Sequence, residues 1–262
     1  MDVAHAFVVP AFGRPQWLAR CLESLQQQTV RSRILIATST PNDHVAAIAG
    51  RLGIEVRVNP ASAGIAADWN FALAVSQARW VTLAHQDDWY APTYTERCLT
   101  AASASPAPLI VFSSALERSG DGAEARHPRI KRMLCEMAFL GRQAIATPFR
   151  KTLLLSFGDP IPCPTVMLHR ALLPDFTFPS GFEAALDWAA WLELARHRGE
   201  FVYVRDPLVH RRVHALSATH VHLDARARED ERILRTLWPG PIAAVIGRLY
   251  AAGRRRYESG SR

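Results

Sequence analysis

Hydrophobic positions along the first 114 residues group into short runs, separated by segments with helical spacing. Four runs have the length and the closing turn residues of buried strands, at residues 5–12, 34–38, 54–58 and 81–84. Between them, apolar residues recurring every three or four positions predict helices over 17–28 and 43–52, and a third from Gly64. This alternation predicts an α/β fold with a doubly wound, mostly parallel sheet.

The pattern loosens after residue 114. A strand at 109–114 is followed by a polar, glycine-containing loop at 117–128, and then by a helix at 129–142. Met133, Met137 and Leu140 of that helix are expected to face inward. Further elements are expected downstream: strands at 165–169, 201–204 and 208–213, and helices at 182–198 and 224–238. Residues 1–238 are expected to form one domain, and 239–262 a basic tail.

Composition indicates an ordinary globular protein. A chain of 262 residues, 49% hydrophobic and 21% charged, can bury a sizeable core. Neither a signal peptide nor an apolar segment of bilayer length stands out in the sequence. The cysteines are far apart along the chain, which predicts free buried thiols in a reducing cytoplasm: Cys21, Cys98, Cys135 and Cys163.

The net charge of +7 comes almost wholly from arginine, since Lys131 and Lys151 are the two lysines. An arginine excess can serve nucleic acids, anionic lipids or phosphorylated ligands. The basic residues are scattered until the tail, and no aromatic-basic binding motif accompanies them. The sequence therefore does not predict a nucleic-acid partner.

The run at 81–84 ends in a polar cluster. His85, Gln86, Asp87 and Asp88 follow it directly. Ligands of open α/β sheets bind beyond the carboxyl ends of the strands, and one or two carboxylates with substrate phosphates commonly hold Mg²⁺. The alternative is a solvated turn in which Asp87 or Asp88 caps the helix expected near Thr93.

Three segments, in this order, resemble a known enzyme family: VVPAFGRPQWLARCLESLQQQT from residue 8, NPASAGIAADWN from residue 59 and LAHQDDWYAP from residue 83. Together they resemble the inverting family-2 glycosyltransferases with the GT-A fold, over residues 6–214. The resemblance implies that residues 1–114 bind a nucleoside-diphosphate sugar. It also implies that residues 115–238 bind the acceptor.

In that family, two aspartates flanking one residue bind a divalent cation on the donor diphosphate. The resemblance gives Asp87 the metal contact, with Mg²⁺ or Mn²⁺ as the cofactor. His85 stands where the first aspartate would be, and a neutral imidazole can still ligate a metal or bond a hydroxyl. Asp88 is expected among the nucleotide-sugar-binding residues, where it orients the loop or an acceptor hydroxyl.

Other donor contacts are implied at the ends of the first strands. Pro10 and Phe12 match the strand end that packs beside the nucleobase, with core packing as the alternative for Phe12. After the second strand the family carries acids, whereas this chain has Thr38 and Ser39, whose hydroxyls can hydrogen-bond a base edge. Asn70 matches the asparagine of the family's sugar-nucleotide helix.

The stretch ALDWAAWLELA, from residue 185, predicts an apolar helical face that begins with an acid. The family places its catalytic base at such a position, which gives Asp187 that role. A base is needed because the acceptor hydroxyl must lose its proton as it attacks the anomeric carbon. The alternatives are a charge favoured by the helix dipole for Asp187, and Glu183 as the base.

A late segment, HRRVHALSATH from residue 210, resembles the family's basic, histidine-containing region. There Arg211 and Arg212 would contact the leaving phosphate, and His214 the metal or diphosphate, because a departing nucleoside diphosphate needs positive charge. His210 and His214 alternate on the expected strand and can share one face. A separate zinc site formed by histidines is the alternative.

Together with the free cysteines, the resemblance implies a cytoplasmic, metal-dependent, inverting glycosyltransferase. It would transfer a sugar from a nucleoside-diphosphate sugar to a hydroxyl acceptor, such as a bacterial surface glycan, a lipid-linked precursor or a small molecule. A nucleotide-sugar-binding module without catalysis is one alternative, because His85 and the hydroxyls after the second strand depart from the family. A metal-dependent phosphoesterase that uses the aspartates and histidines is the other.

The tail has a stripe of apolar residues at helical spacing, followed by three arginines: Ile242, Val245, Ile246, Leu249 and Tyr250, then Arg254, Arg255 and Arg256. Such a basic amphipathic helix can lie on the inner face of a membrane as a peripheral contact. The alternative is a terminal helix that packs its stripe on the domain.

Overall fold

A nine-stranded sheet organises the computed structural model, which describes residues 4–61, 64–119, 129–214 and 223–259. The strands are β1 (His5–Ala11), β2 (Arg33–Thr38), β3 (Glu55–Val58), β4 (Trp80–Leu83), β5 (Trp89–Tyr90), β6 (Pro108–Ser119), β7 (Ala144–Ile145), β8 (Val166–His169) and β9 (Glu200–Val213). The helices of the described ranges are α1 (Leu18–Gln26), α2 (Asp43–Leu52), α3 (Ile65–Val75), α4 (Tyr94–Ser103), α5 (Arg129–Phe139), α6 (Pro148–Leu155), α7 (Leu186–Arg196), α8 (Leu223–Leu237) and α9 (Gly240–Ser259).

The strands follow the order β3-β2-β1-β4-β8-β6-β9-β5, and β7 pairs with β9. β1 to β4 are parallel to one another, and β6 is parallel to β9, whereas β8, β5 and β7 are antiparallel to their neighbours. This arrangement confirms the predicted mostly parallel sheet. Because β1 to β4 share a direction, their carboxyl ends meet at one edge, where ligands of such sheets bind.

Each face of the sheet carries its own hydrophobic core. Alternate residues of β1 divide between them: Ala6 and Val8 pack with α3, α7 and α8, whereas Phe7 and Val9 pack with α1, α2 and α4. This division follows from the two-residue period of a strand, whose side chains point to opposite faces. Helices on both faces make the sheet doubly wound, as predicted.

The N-terminal elements begin and end close to the predicted residues, because local signals fix them. Asn42 caps α2 by accepting a hydrogen bond from the Val45 N–H, and Gly53 ends the helix in the left-handed conformation. Gly64 precedes α3 with φ of +91°, a value that L side chains rarely adopt.

Three predicted boundaries after residue 108 were wrong. The two strands expected at 201–204 and 208–213 form the single strand β9, and α7 begins at Leu186 rather than near residue 182. Residues 117–119, expected in a loop, belong to β6, which pairs with β9 up to Ser119. The remainder of that expected loop, 120–128, lies outside the described residues, as do residues 215–220 of the histidine-rich segment.

The predicted orientation of α5 was also wrong. Met133, Met137 and Leu140 are exposed, whereas Cys135 and Phe139 lie in the core. Helix α5 is apolar on two sides, so helical spacing alone does not show which side is buried. The prediction of free, buried cysteines is confirmed for all four.

The expected tail stripe divides between two faces of α9. Ala243 is fully buried, Ile246 packs against the core, and Tyr250 contacts the Trp188 ring with centroids 6.0 Å apart. This packing follows the alternative of a terminal helix that docks on the domain. Val245 and Leu249 stay exposed. Within the described ranges, no helix combines the length and apolarity needed to cross a bilayer.

Candidate active site

The polar cluster after β4 lies at the carboxyl edge of the parallel strands. β4 sits between β1 and β8, and a tight turn follows it, in which the Asp88 N–H donates to the His85 carbonyl at 3.1 Å. His85, Asp87 and Asp88 each present one possible ligand atom, and these atoms lie within 4.8 Å of one another. The turn therefore gathers an imidazole and two carboxylates at the edge where the sequence predicts them.

Asp87 is joined to the end of β9. Its Oδ2 hydrogen-bonds with Nε2 of His214 at 2.8 Å, although the two residues are 127 positions apart in the chain. Burial alone would raise the pKa of Asp87, but the hydrogen bond with His214 and the neighbouring imidazoles lower it. The carboxylate is therefore held in its anionic form, the form that binds a cation.

Asp88 has a different environment. It is buried, and its Oδ1 accepts a hydrogen bond from the Arg212 N–H at 2.9 Å, which ties the turn to β9. Burial, with the charge of Asp87, raises the pKa of Asp88 well above its usual range. Neither aspartate caps α4, because that helix begins after Thr93 without a side-chain cap.

His85 is a partly buried imidazole beside the Trp69 ring, with ring centroids 5.1 Å apart. Burial lowers the pKa of His85, which favours the neutral form. Its buried Nε2 has no hydrogen-bond partner in the described part of the chain. A neutral imidazole with an open nitrogen can ligate a metal or accept a bond from a sugar hydroxyl.

These side chains fit a hard divalent cation. Carboxylate oxygens suit Mg²⁺ and Mn²⁺, and imidazole nitrogen is a further ligand type for transition metals. Asp87 is held anionic and His85 keeps an open nitrogen, so both are ready to coordinate. Among the described residues, no second group of histidines, cysteines and acids is placed to hold a metal. His210 instead stacks on the Trp89 ring, at 5.1 Å between centroids.

Both predicted arginines reach this region from β9. Arg211 donates from Nη1 to Glu117 at 2.9 Å, while its buried Nε has no partner among the described residues. The Arg212 guanidinium is buried and lies over the Trp17 ring, 4.5 Å from its centroid. The Arg211 guanidinium acts on the carboxylates of the cluster and can supply the positive charge that a diphosphate needs, whereas Arg212 reaches Asp88 through its backbone N–H.

Asp187 lies in the first turn of α7, as predicted, and its Oδ1 accepts from the Trp188 N–H at 2.9 Å. Its charge partly offsets the burial that lowers the pKa of His85, and it helps to raise the pKa of Arg211, as the charge of Asp87 does. The base candidate and the metal candidate therefore act on the same two side chains. Glu183, the alternative base, is exposed and precedes the helix.

Glu229 of α8 holds the chain that leads into α7, a role the sequence did not reveal. Its carboxylate accepts from the backbone N–H groups of Glu183, Ala184 and Ala185, at 2.7, 3.0 and 2.8 Å. These groups come just before the helix, where donors have no intrahelical partner. Arg226, one turn earlier on α8, donates to the Ala184 carbonyl. Because the partners are more than 40 positions apart, no local motif indicates the contact.

Phe12 and Pro10 lie at the end of β1. Phe12 is 63% exposed, so the core-packing alternative is wrong, and its N–H donates to Oε1 of Gln86 at 2.9 Å. Its ring is free to stack on a planar group. Thr38 is buried at the end of β2, where its hydroxyl accepts from the Thr40 N–H.

Asp68 lies within the second family-like segment but was not among the predicted site residues. It links the ends of β2 and β3 to α3. Its two oxygens accept from the Ser39 hydroxyl at 2.8 Å and from the Asn59 amide at 2.9 Å. The carboxylate is half-buried in the first turn of α3, beside the ends of β2 and β3. Asp68 bonds Ser39, which occupies the position after β2 where the family carries acids. An acid in the first turn of α3 is the sequence signal that could have identified Asp68.

Asn70 binds the backbone of the segment that precedes α7. Its amide donates to the Phe178 carbonyl at 2.9 Å and accepts from the Phe178 N–H at 2.7 Å. Both functions of the amide are thus satisfied by one backbone residue, and Asn70 fixes the segment that precedes α7.

Comparisons with known proteins agree on the fold. The chain is similar in structure to TarS 1-349 of S. aureus in complex with UDP-GlcNAc, with a TM-score of 0.62 and 13% identity over 93% of this chain and 70% of that one. It is also similar to the mannosyltransferase PcManGT from Pyrobaculum calidifontis in complex with GDP-Man and Mn²⁺, with a TM-score of 0.61 and 16% identity over 100% of this chain and 80% of that one. No curated protein sequence matches it.

The structural matches confirm the GT-A fold. The sequence model of one family, Glycosyl transferase family 2, matches residues 6–173, more than half of the chain. This stretch contains β1 to β4, the polar cluster and Asp68. The chain therefore belongs to glycosyl transferase family 2.

Proposed function

We propose that this family-2 protein is a metal-dependent, inverting glycosyltransferase. It transfers a sugar from a nucleoside-diphosphate sugar to a hydroxyl acceptor. The observation that carries the proposal is the 2.8 Å hydrogen bond between Asp87 and His214. It joins the two segments proposed to bind the metal and diphosphate. The charge of Asp187 acts on one residue of each segment, His85 and Arg211.

On the donor side, Asp87 and His85 would hold Mg²⁺ or Mn²⁺, with His214 beside them, and the cation would neutralise charge on the diphosphate. Arg211 adds a guanidinium whose Nε lies open within the described residues, and Glu117 fixes its other end. Arg212 adds a second guanidinium, fixed against Trp17. Positive charge placed in advance stabilises a leaving nucleoside diphosphate as the bond to the sugar breaks.

The base and ribose of the donor would lie toward β1 and β2. Phe12 offers an exposed ring for stacking, next to Pro10. Thr38, Ser39 and Asp68 form the polar side, where a fixed carboxylate accepts from a base N–H. Asn70 has both functions of its amide bonded to the Phe178 backbone, so it would hold α3 against the segment before α7 rather than contact the donor directly.

Asp187 is the proposed catalytic base. It accepts the proton of the acceptor hydroxyl as that oxygen attacks the anomeric carbon, on the face opposite the diphosphate. A single displacement of this kind inverts the anomeric configuration, and it needs one base and no protein nucleophile. Glu229 keeps the base in place through the three backbone N–H groups that it binds.

In this proposal, residues 1–114 bind the donor and residues 115–238 present the acceptor within one domain. The acceptor is a hydroxyl of a bacterial surface glycan, a lipid-linked precursor or a small molecule. The reaction is assigned to the cytoplasm, whose reducing environment suits the four free cysteines.

The test is incubation of the full chain with a panel of nucleoside-diphosphate sugars and Mn²⁺, with chelator as the control. We expect slow release of nucleoside diphosphate and free sugar without an acceptor, and none with chelator. Inverted configuration of the sugar product, read by NMR, completes the test. Release of inorganic phosphate would indicate a phosphoesterase instead, and nucleotide binding without any release would indicate a module that lacks catalysis.

A further inference from the structure

Helices α5 and α6 contact each other, and each presents apolar side chains to solvent. On α5 and just after it, exposed residues recur every three or four positions. The same holds for α6 and the residues just after it. We define the α5–α6 face by these residues and their exposed fractions: Ile130 56%, Met133 53%, Met137 62%, Leu140 66%, Phe149 75%, Leu153 39% and Phe157 40%.

The exposed residues are not needed to hold the two helices on the domain. Cys135 and Phe139 attach α5 to the core, and Leu154 and Leu155 attach α6, all of them at most 3% exposed. Each helix therefore has a buried face and a second apolar face that is open to solvent, apart from the Phe157 ring, whose centroid lies 5.4 Å from that of Trp238. A concentration of large apolar side chains at one surface is typical of an interaction site.

The charge of this region distinguishes between two possible partners for the α5–α6 face, a second copy of the chain and an anionic lipid surface. Residues 129–157 contain six basic residues and one acid, but Lys151 is fully buried and donates to backbone carbonyls, and the acid, Glu136, is paired with Arg205 at 3.1 Å. Arg132 and Arg142 are exposed beside the apolar residues. A second copy of the chain would bring the same basic residues together and be repelled. An anionic lipid surface would attract them and accept the apolar side chains, as it does for interfacial helices.

We propose that the α5–α6 face docks this protein on an anionic membrane surface. The methionine, leucine and phenylalanine side chains enter the interface, while Arg132 and Arg142 lie at the level of the headgroups. The docking itself does not depend on the proposed enzymatic function.

The position of α5 connects the proposed membrane contact with the candidate active site. Lys131 follows Ile130 directly and lines a cavity together with Ser114 of β6 and Pro162, and burial and the charge of Arg211 lower its pKa. The helix that would rest on the membrane therefore borders the candidate active site on its other side. If the proposed function holds, a membrane at this face would present the headgroup of a lipid-linked acceptor to Asp187.

The test is vesicle flotation of the full chain with two kinds of vesicle. One contains equimolar phosphatidylglycerol and phosphatidylcholine, and the other phosphatidylcholine alone. We expect flotation with the anionic vesicles at low salt and little with the neutral ones. In Met133→Gln/Met137→Gln the bound fraction should fall about tenfold, since two apolar groups leave the interface. Equal flotation of this variant and the parent would overturn the proposal.

A matched control lies on α9. The double variant Val245→Gln/Leu249→Gln changes two residues that are 55% and 69% exposed, against 53% and 62% for the methionine pair. It should bind vesicles within about twofold of the parent, because its residues lie outside the α5–α6 face. A larger loss in this control than in the methionine pair would move the docking to α9 and overturn the proposal. Equal losses would indicate unspecific adsorption and overturn it too.

Two further measurements separate a loss of docking from a loss of folding and from dimerisation. Thermal melting should give the same Tm for both double variants and the parent, because the exchanged side chains are exposed. Light scattering with size exclusion should give a monomer for the parent. A dimer that the methionine substitutions dissociate would show that the face binds a second copy, which would overturn the membrane assignment.

Discussion

The N-terminal half of the described chain, residues 4–114, and the C-terminal half, residues 129–214 with α8, are built from different kinds of contact. In the first, β1 pairs with β2 and β2 with β3, strands that follow one another along the chain, although β4 and β5 also pair with strands of the second half. In the second, β9 pairs along its length with β6, about 90 positions earlier. The elements of the first half can therefore be predicted largely from nearby residues, whereas those of the second depend on distant ones.

The candidate site spans this divide. The N-terminal half contributes the strand-end cluster of His85, Asp87 and Asp88. The C-terminal half contributes Asp187 and the end of β9. In the proposed function, the first half supplies the nucleobase side and the main metal ligands, whereas the second supplies the base and further diphosphate contacts from β9. Substitutions in each half should therefore separate binding from turnover.

The largest effect is expected for Asp187→Asn. Because a general base acts in the transition state, turnover should fall by about two to four orders of magnitude while donor affinity stays nearly unchanged. Steady-state kinetics and calorimetric titration of nucleoside diphosphate measure the two quantities. Glu193→Gln, an exposed acid on the same helix, is the control. A loss of turnover below threefold would remove Asp187 from the role.

Asp87→Asn should instead weaken binding of the nucleoside diphosphate. Loss of a metal ligand is expected to weaken Mn²⁺-dependent nucleoside-diphosphate binding by at least ~10- to 100-fold, the range seen even for groups that only support ligands. Titration with and without Mn²⁺ measures this, with Asp43→Asn, an exposed acid on α2, as control. If the variant binds as tightly as the parent with Mn²⁺, the division between the halves fails.

A third prediction concerns the core of the N-terminal half. His5 is 2% exposed, hydrogen-bonds with Ser32 and Thr82, and burial lowers its pKa to about 3. The unfolded chain takes up a proton near pH 6.5, whereas the folded chain does so only near pH 3, so stability falls as pH falls through this window. Between pH 6.5 and pH 5, His5 should contribute a loss of about 2 kcal/mol.

Denaturant unfolding at several pH values measures this effect. His5→Gln removes the titrating group and keeps hydrogen-bonding capacity, so its free energy of unfolding should change less over the same range. A parent and variant with the same pH dependence would show that His5 does not produce it.

The smallest effect is expected for Glu229→Gln. Replacing a carboxylate that accepts three backbone N–H bonds should lower the free energy of unfolding by about 1–2 kcal/mol. Turnover should fall more than donor affinity, because Asp187 follows the segment that Glu229 holds. Glu231→Gln is the control, since its exposed pair with Arg235 contributes about 0.5 kcal/mol or less. An equal effect of both variants on turnover would exclude Glu229 as a positioning residue.

The sequence by itself determined the fold class, the elements of the N-terminal half and most candidate chemistry. The strand lengths, the cap at Asn42 and the glycines at 53 and 64 act within a few residues of the chain, so their effects can be read without a partner. The motif after β4 also marks its own position, because the carboxyl end of a parallel strand is a binding edge in any such sheet.

Only the tertiary structure decided which side of α5 is buried, that β9 is one strand, and that Glu229 holds the approach to α7. It also brought Asp68 to Ser39 and paired Asp87 with His214. Each of these outcomes depends on a group that is distant in sequence. Helical and strand periodicity shows which face of an element is apolar. Whether that face is buried depends on the element that packs against it, which comes from elsewhere in the chain.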